Sequence, residues 1–201
     1  GESDLSSNFA RDVVLLKQVG ISPVIIHGGG PQIGRMLERL KIGSTFVDGL
    51  RVTNSSTVEI VEMVLSGSIN KQIVSDINTA GGTAIGLSGK DGNMILARKL
   101  QRLKKDPESN IEKALDLGFV GEPKSVNAEI LKLLNESKIM PVIAPIGIGE
   151  NGETYNINAD TVAGSIASAL NAKRLLMLTD IDGVMDETGK LINEMKSSQA
   201  Q

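Results

Sequence analysis

The stretch VIIHGGGPQI, residues 24–33, joins a short apolar run to a segment with helical periodicity. The β-branched run at 24–26 predicts a buried strand, and the apolar spacing over 31–40 predicts a helix. Gly28–Gly30 then form a tight strand-to-helix turn, in which missing Cβ atoms let backbone N–H groups approach a ligand. Because a helix N-terminus attracts anions, the stretch predicts an anion site, although a plain tight turn explains the same glycines.

The composition narrows the classes of function. The chain has 201 residues, a net charge of −3 and 2% aromatic residues, which argues against nucleic-acid binding. It has no cysteine and a single histidine, so we expect no metal site built by protein ligands alone. That histidine, His27, is more typical of a packed, hydrogen-bonded residue than of a base. No apolar run reaches the ~18 residues of a membrane span and no signal peptide is visible, so we expect no membrane partner and a cytoplasmic location.

Apolar strands alternate with amphipathic helices along the rest of the chain. This order predicts an α/β fold, a three-layer αβα sandwich with a mainly parallel central sheet. The predicted strands are 24–26, 83–87, 94–100, 140–146 and 174–180, and the predicted helices are 9–19, 31–40, 55–66, 68–79, 128–138 and 161–171. Residues 101–110 read as a surface loop or the tip of a hairpin, and 94–125 as a hairpin-like lid over one edge. Because α/β chains normally open with a strand, we expect the fold to be incomplete at both ends.

Polar sequences lie at the ends of four predicted strands, where doubly wound sheets bind ligands: HGGG after the first strand, SGKDG after 87, GENGETYNINAD after 146 and TDIDG after 178. Three motifs contain candidate site residues. GLRVT (49–53) contains Arg51, which either holds a carboxylate through paired N–H groups or is an ordinary surface arginine. NINAD (156–160) contains Asn156 and Asp160; the aspartate is either a helix cap or an acid in the first turn, or it orients lysines or Mg²⁺ near a phosphate. TDIDGV (179–184) suits the edge of a nucleotide site, or is an ordinary turn rich in Asp and Gly.

In combination, HGGGP, GLRVT, SGKDG, NINAD and TDIDG resemble the acetylglutamate kinases of the amino acid kinase family. The resemblance is collinear over essentially the whole chain. It implies ATP-dependent phosphorylation of the γ-carboxylate of N-acetyl-L-glutamate in arginine biosynthesis, with Mg²⁺ held mainly by ATP. It also implies a homodimer or higher homo-oligomer. The chain would be one domain, with a substrate-binding lobe over about 1–150 and the start of a nucleotide-binding lobe over 151–201.

The resemblance also implies roles for individual residues. Gly29 and Gly30 would bind the reacting side of the substrate and cradle the transferring phosphoryl group through their N–H groups. Arg51 would hold the α-carboxylate, Asn156 the acetamido or α-carboxyl end, and Asp160 would organise catalytic lysines. The nucleotide site would be lined by Asp180, Ile181, Asp182, Gly183, Val184 and Met185.

The sequence departs from that family at its lysines. The Lys-x-Gly-Gly motif of the family's first strand and its second catalytic lysine have no counterpart among these residues. We therefore assign no catalytic role to Lys17, Lys71, Lys90 or Lys190, and expect the 201 residues alone to be inactive. Two alternatives stay open: a non-catalytic module that binds acetylglutamate or another amino acid, and another amino acid kinase.

Overall fold

The computed structural model describes residues 2–47, 49–105, 112–178, 183–186 and 188–194. Its helices are α1 (Glu2–Gln18), α2 (Gly30–Arg39), α3 (Ser55–Glu62), α4 (Asn70–Thr79), α5 (Glu129–Glu136) and α6 (Ala159–Ala169), with a π-helical segment at Met63–Ile69 and a 3₁₀ turn at Asp91–Asn93. Its strands are β1 (Ile25–Ile26), β2 (Phe46–Val47), β3 (Leu50–Arg51), β4 (Ala84–Ser88), β5 (Ile95–Lys99), β6 (Arg102–Lys105), β7 (Glu112–Leu115), β8 (Val120–Val126), β9 (Met140–Ala144), β10 (Ile146–Ile148) and β11 (Thr154–Ile157).

A parallel three-stranded sheet in the order β1–β9–β4 forms the centre. All five residues of β9 are buried, as expected for a central parallel strand covered on both faces. Met140 and Val142 pack with α1 and α4, whereas Ile143 packs with Leu131 of α5 and Ile166 of α6. Helices therefore cover both faces of the sheet, which confirms the predicted αβα arrangement.

A second sheet closes into a barrel of β10, β11, β8 and β5, which the sequence did not predict. Two of its pairings are parallel and two antiparallel. The predicted hairpin character of 94–125 is confirmed in part, because β5 pairs antiparallel with β8 and β6 with β7. Residues 102–105 form β6 rather than a surface loop, and their antiparallel pairing with β7 agrees with the hairpin alternative.

Several predicted helices have the right position. α2, α5 and α6 agree with prediction within one or two residues, whereas α1 begins at Glu2 rather than near Phe9. The helix predicted over 55–66 and its continuation over 68–79 are confirmed as consecutive helical segments, in which the π-helical segment joins α3 to α4.

The predicted strand 174–180 is wrong over its described part, residues 174–178. These residues form no strand, and Leu176 and Leu178 are 72% and 79% exposed. The apolar run has strand propensity, but within the described residues no strand pairs with it to satisfy its backbone. None of the described helices has the length and apolar character to span a membrane.

Candidate functional site

The glycine turn lies between β1 and α2, as its sequence predicts. Gly29 is the N-cap of α2, and its carbonyl oxygen accepts the Ile33 N–H at 2.9 Å. A Cβ atom on Gly29 would lie 2.3 Å from Ile69 Cδ1 and 2.7 Å from Leu65 Cδ2, so packing alone requires glycine there. Around Gly30 no atom lies within 4 Å of such a position, which leaves the turn open on that side.

The start of α2 has no side-chain cap. Within the described residues, the N–H groups of Gly29 and Gly30 donate to no acceptor. Free N–H groups at a helix N-terminus carry a partial positive charge and favour an anion. The glycine turn therefore presents two donors to whatever occupies this end of the sheet.

Arg51 lies against this turn. It pairs with Phe46 across the β2–β3 hairpin, and its guanidinium carbon lies 4.5 Å from the centre of that ring. Its Nη2 donates to the Gly30 carbonyl oxygen at 3.0 Å, and its Nη1 donates to the Ser44 hydroxyl. Burial lowers the pKa of Arg51, which is 8% exposed. The buried cation is therefore held beside the first turn of α2.

Asn156 is connected to Arg51 through Thr53, a residue that the motif analysis missed. The Thr53 hydroxyl donates to the Arg51 carbonyl oxygen at 2.9 Å, and Asn156 Nδ2 lies 3.5 Å from the Thr53 hydroxyl oxygen. Thr53 is fully buried. The sequence offered only its place inside GLRVT as a signal. The structure adds that Thr53 is buried, and a buried threonine needs hydrogen-bond partners.

The start of α6 lies next to the glycine turn. A Cβ atom on Gly28 would lie 3.9 Å from the Cβ of Ala159. Asn158 caps α6, since its side chain accepts the Thr161 N–H at 3.0 Å, so of the two structural alternatives for Asp160 the cap is wrong and the first-turn acid is confirmed. Asp160 lies exposed in the first turn and forms no hydrogen bond or ion pair with any other described residue. Its carboxylate is thus available at the edge of the site.

His27 follows β1 and is 8% exposed. Its Nδ1 lies 2.9 Å from the Gly28 carbonyl oxygen, and its Nε2 lies 3.2 Å from Asn70 Nδ2. Burial lowers the pKa of His27, and the hydrogen bond to the Gly28 backbone raises it less. The imidazole is therefore hydrogen-bonded on both nitrogens, as a packed histidine would be.

The expected nucleotide-binding residues are described only in part. Asp180, Ile181 and Asp182 lie outside the described residues. Gly183 has φ 142°, and Val184 and Met185 are exposed, with Met185 bridging to Leu191. No hydrogen bond joins residues 183–186 to the glycine turn in the part of the chain that the structure describes.

Comparisons with known proteins place the chain in a family. Residues 2–201 match the amino acid kinase family. The chain is 66% identical over all 201 residues to acetylglutamate kinase of Rhodospirillum centenum, covering 66% of that protein. It is 63% identical to the Rhodospirillum rubrum acetylglutamate kinase, covering 65% of it. The chain thus spans about two thirds of the length of these curated relatives.

Solved structures share the fold. The Streptococcus mutans UA159 protein smu.665 superposes with a TM-score of 0.77 at 26% identity, covering 91% of this chain and 72% of that one. The carbamate kinase of Giardia has a TM-score of 0.57 at 15% identity, over 89% of this chain and 66% of that one. At such identity the carbamate kinase supports the fold alone. On the family match and the close relatives together, the chain belongs to the amino acid kinase family.

Proposed function

We propose that the protein carrying this chain is an acetylglutamate kinase, which transfers the γ-phosphoryl group of ATP to the γ-carboxylate of N-acetyl-L-glutamate. The observation that carries the proposal is the connected series of contacts from Gly30 through Arg51 and Thr53 to Asn156. These contacts gather a buried cation and an amide beside two free N–H donors. The curated relatives, which bear that enzyme's name, support the same activity.

The chemistry needs positioning and charge neutralisation rather than a covalent protein intermediate. A γ-carboxylate oxygen of the substrate attacks the γ-phosphorus of ATP, the bond to the β,γ-bridging oxygen breaks, and ADP leaves. In our proposal the N–H groups of Gly29 and Gly30 stabilise the charge on the transferring phosphoryl oxygens. Their orientation at the start of α2 needs no rearrangement during the reaction.

The two ends of the substrate have separate partners in this proposal. Arg51 binds the α-carboxylate with guanidinium N–H groups that are not used on Ser44 and Gly30, since arginine has five. Asn156 binds the acetamido or α-carboxyl end through its side-chain amide. Asp160 would organise catalytic lysines, which we do not assign to any residue of this chain.

ATP would lie along Asp180–Met185 and carry most of the coordination of Mg²⁺. The described residues include no cluster of three or more acidic or histidine side chains that could hold the ion, and Mg²⁺ commonly stays on substrate phosphates. A lobe boundary near residue 150, a cytoplasmic location and assembly into at least a homodimer are parts of the same proposal. We do not favour a non-catalytic binding module, because the relatives are kinases by name.

Ligand-induced stabilisation of the full-length protein tests the assignment. N-acetylglutamate should raise the melting temperature by mass action on the folded state, and unacetylated glutamate should do so much less. Arg51→Ala should lose most of the shift, whereas Arg39→Ala, at the exposed end of α2, should keep it. Equal shifts from the two ligands, or no N-acetylglutamate-dependent formation of ADP from ATP, would contradict the proposed function.

A further inference from the structure

The orientation of the Gly28–Gly29 peptide is set by His27. A trans peptide unit is planar, so its C=O and N–H bonds point in opposite directions. In this unit the Gly28 carbonyl points back to the buried imidazole, at 2.9 Å from Nδ1. The Gly29 N–H, which belongs to the same unit, therefore points away from the imidazole.

The partners of the imidazole assign its tautomer. The carbonyl oxygen of Gly28 can only accept a hydrogen bond, so the Nδ1 atom of His27 carries the hydrogen. Its Nε2 is then an acceptor, and Asn70 Nδ2 at 3.2 Å is the donor. The opposite tautomer would place two acceptors together at Nδ1 and two donors together at Nε2.

The Asn70 amide is held in one orientation by its surroundings. Its Nδ2 also faces the carbonyl oxygens of Val142 at 2.9 Å and Leu87 at 3.3 Å, while its Oδ1 accepts from Lys71 Nζ at 3.2 Å. Asn70 is fully buried. Reversing the amide would set its oxygen against backbone carbonyl oxygens, so Nδ2 must face His27.

Two features of the fold support the position of the Asn70 amide. Gly86 of β4 leaves the space, because a Cβ atom there would lie 1.8 Å from Asn70 Oδ1. The π-helical segment ends at Ile69, directly before Asn70, and its Leu65 and Ile69 side chains pack against Gly29. Such segments often occur at functional sites. One stretch of helix therefore supports both the imidazole and the glycine turn.

We propose that His27 is a positioning residue for phosphoryl transfer: its Nδ1–H, held in place by Asn70, orients the Gly28–Gly29 peptide so that the Gly29 N–H faces the substrate. This inference rests on the proposed function for the identity of the substrate. The carbonyl of Gly29, already bonded to the Ile33 N–H, directs the Gly30 N–H out of the helix in the same way. The imidazole itself transfers no proton.

Nitrogen NMR of the imidazole tests the tautomer independently of any activity. His27 is the only histidine of these 201 residues, and comparison with His27→Asn identifies its signals in the full-length protein. We expect the neutral form with hydrogen on Nδ1 near pH 7. A neutral ring with hydrogen on Nε2, or a charged ring, would overturn the inference even if the protein phosphorylates N-acetylglutamate.

Two amide substitutions test the role in catalysis. The side-chain nitrogen of asparagine is bonded to Cγ, as Nδ1 is, so His27→Asn keeps a donor for the Gly28 carbonyl. The amide of glutamine lies one bond further out, near the position of Nε2, so in His27→Gln its Oε1 can accept from Asn70 Nδ2 but no donor remains for the Gly28 carbonyl. Both variants remove the ring and should lose similar amounts of thermal stability.

We expect His27→Asn to retain kcat within about threefold of wild type and His27→Gln to lose about tenfold to a hundredfold, with KM for ATP unchanged in both. If the two variants lose kcat equally, in proportion to their losses of melting temperature, His27 is a packing residue and does not position the peptide. A wild-type protein without turnover of N-acetylglutamate would refute the proposed function, and the tautomer would still decide the inference about His27.

Discussion

The two helices that begin at the site, α2 and α6, start in opposite ways. α6 is capped by Asn158, whose side chain accepts the Thr161 N–H. α2 begins at Gly29 without a side-chain cap, and its first N–H groups have no partner in the described residues. Ordinarily a helix start gains about 1 kcal/mol from a capping side chain. At α2 the side-chain cap is missing, and with glycine at the N-cap the stability lost is only about a few tenths of a kcal/mol.

The packing explains why α2 cannot be capped in the usual way. Any side chain on residue 29 would place its Cβ inside the van der Waals radii of Leu65 and Ile69. The helices therefore divide two tasks: α6 is anchored by its cap and holds Asp160 at the edge of the site, whereas α2 leaves its N-terminus open to a ligand.

Gly29→Ala should produce the largest effect. The added methyl group would overpack the contact with Leu65 and Ile69, at a cost of about 1–3 kcal/mol in the free energy of unfolding. Displacement of the turn should also reduce turnover by about a hundredfold. Chemical unfolding and steady-state kinetics measure the two effects. Gly30→Ala, which has open space around it, is the matched control for stability and should unfold like the wild type.

Asp160→Asn should reduce turnover by about a hundredfold while leaving the melting temperature nearly unchanged. Asn158 already caps α6, so Asp160 is not needed for that purpose and the substitution removes only its charge. Near-normal activity of the variant would mean that the Asp160 carboxylate only interacts favourably with the N-terminal end of the α6 dipole. In that case its charge contributes about 0.3–1 kcal/mol to stability and nothing to catalysis.

Asn158→Ala should lower the free energy of unfolding by about 1 kcal/mol, the usual value of an asparagine cap. Asn54→Ala at the start of α3 is a matched control, because the Asn54 side chain accepts the Thr57 N–H at 2.9 Å in the same way. Similar losses of unfolding free energy in the two variants, measured with urea, would confirm that α6 begins with an ordinary asparagine cap. A loss at Asn158 of several times that size would show that this residue does more than cap α6.

The pH dependence of stability should show the smallest effect, and it concerns the turn before α2. Because burial lowers the pKa of His27 below its usual 6.5, the unfolded chain binds the proton more readily. The contribution of His27 to stability is complete above that usual value and is lost as pH falls towards the lowered pKa. One group changes the free energy by at most about 1.4 kcal/mol per pH unit.

Urea unfolding of wild type and His27→Asn at about pH 7.5 and about pH 5.5 isolates this contribution. The wild type should lose more stability over that interval than the variant, since the carboxylates are common to both. The imidazole network also contacts a lysine, since Lys71 Nζ donates to Asn70 Oδ1 at 3.2 Å in both proteins. Parallel pH profiles would show that the neutral histidine contributes nothing to the turn.

Local sequence was sufficient to place much of the fold and part of the site. Helical periodicity located α2, α5 and α6, and the apolar run at 140–146 located β9. The apolar run at 24–26 and the glycines that follow it also predicted the turn between β1 and α2. These features depend on side chains close in sequence or on the general geometry of parallel sheets, so a single sequence contains the information.

Other features depend on partners far apart in the chain. Asn70 bonds Val142 across 72 residues, and Asn156 contacts Thr53 across 103. The barrel of β5, β8, β10 and β11 likewise joins segments that no local pattern connects.

The sequence by itself determined the alternation of strands and helices, the uncapped glycine turn and the polar residues at strand ends, because these follow from periodicity and residue type. Only the tertiary structure decided that residue 29 has no room for a Cβ, that a buried asparagine selects the tautomer of His27, and that 174–178 form no strand. Each of these depends on which distant atoms fill the neighbouring space and which distant groups complete the hydrogen bonds. Neither can be predicted from residue type and periodicity.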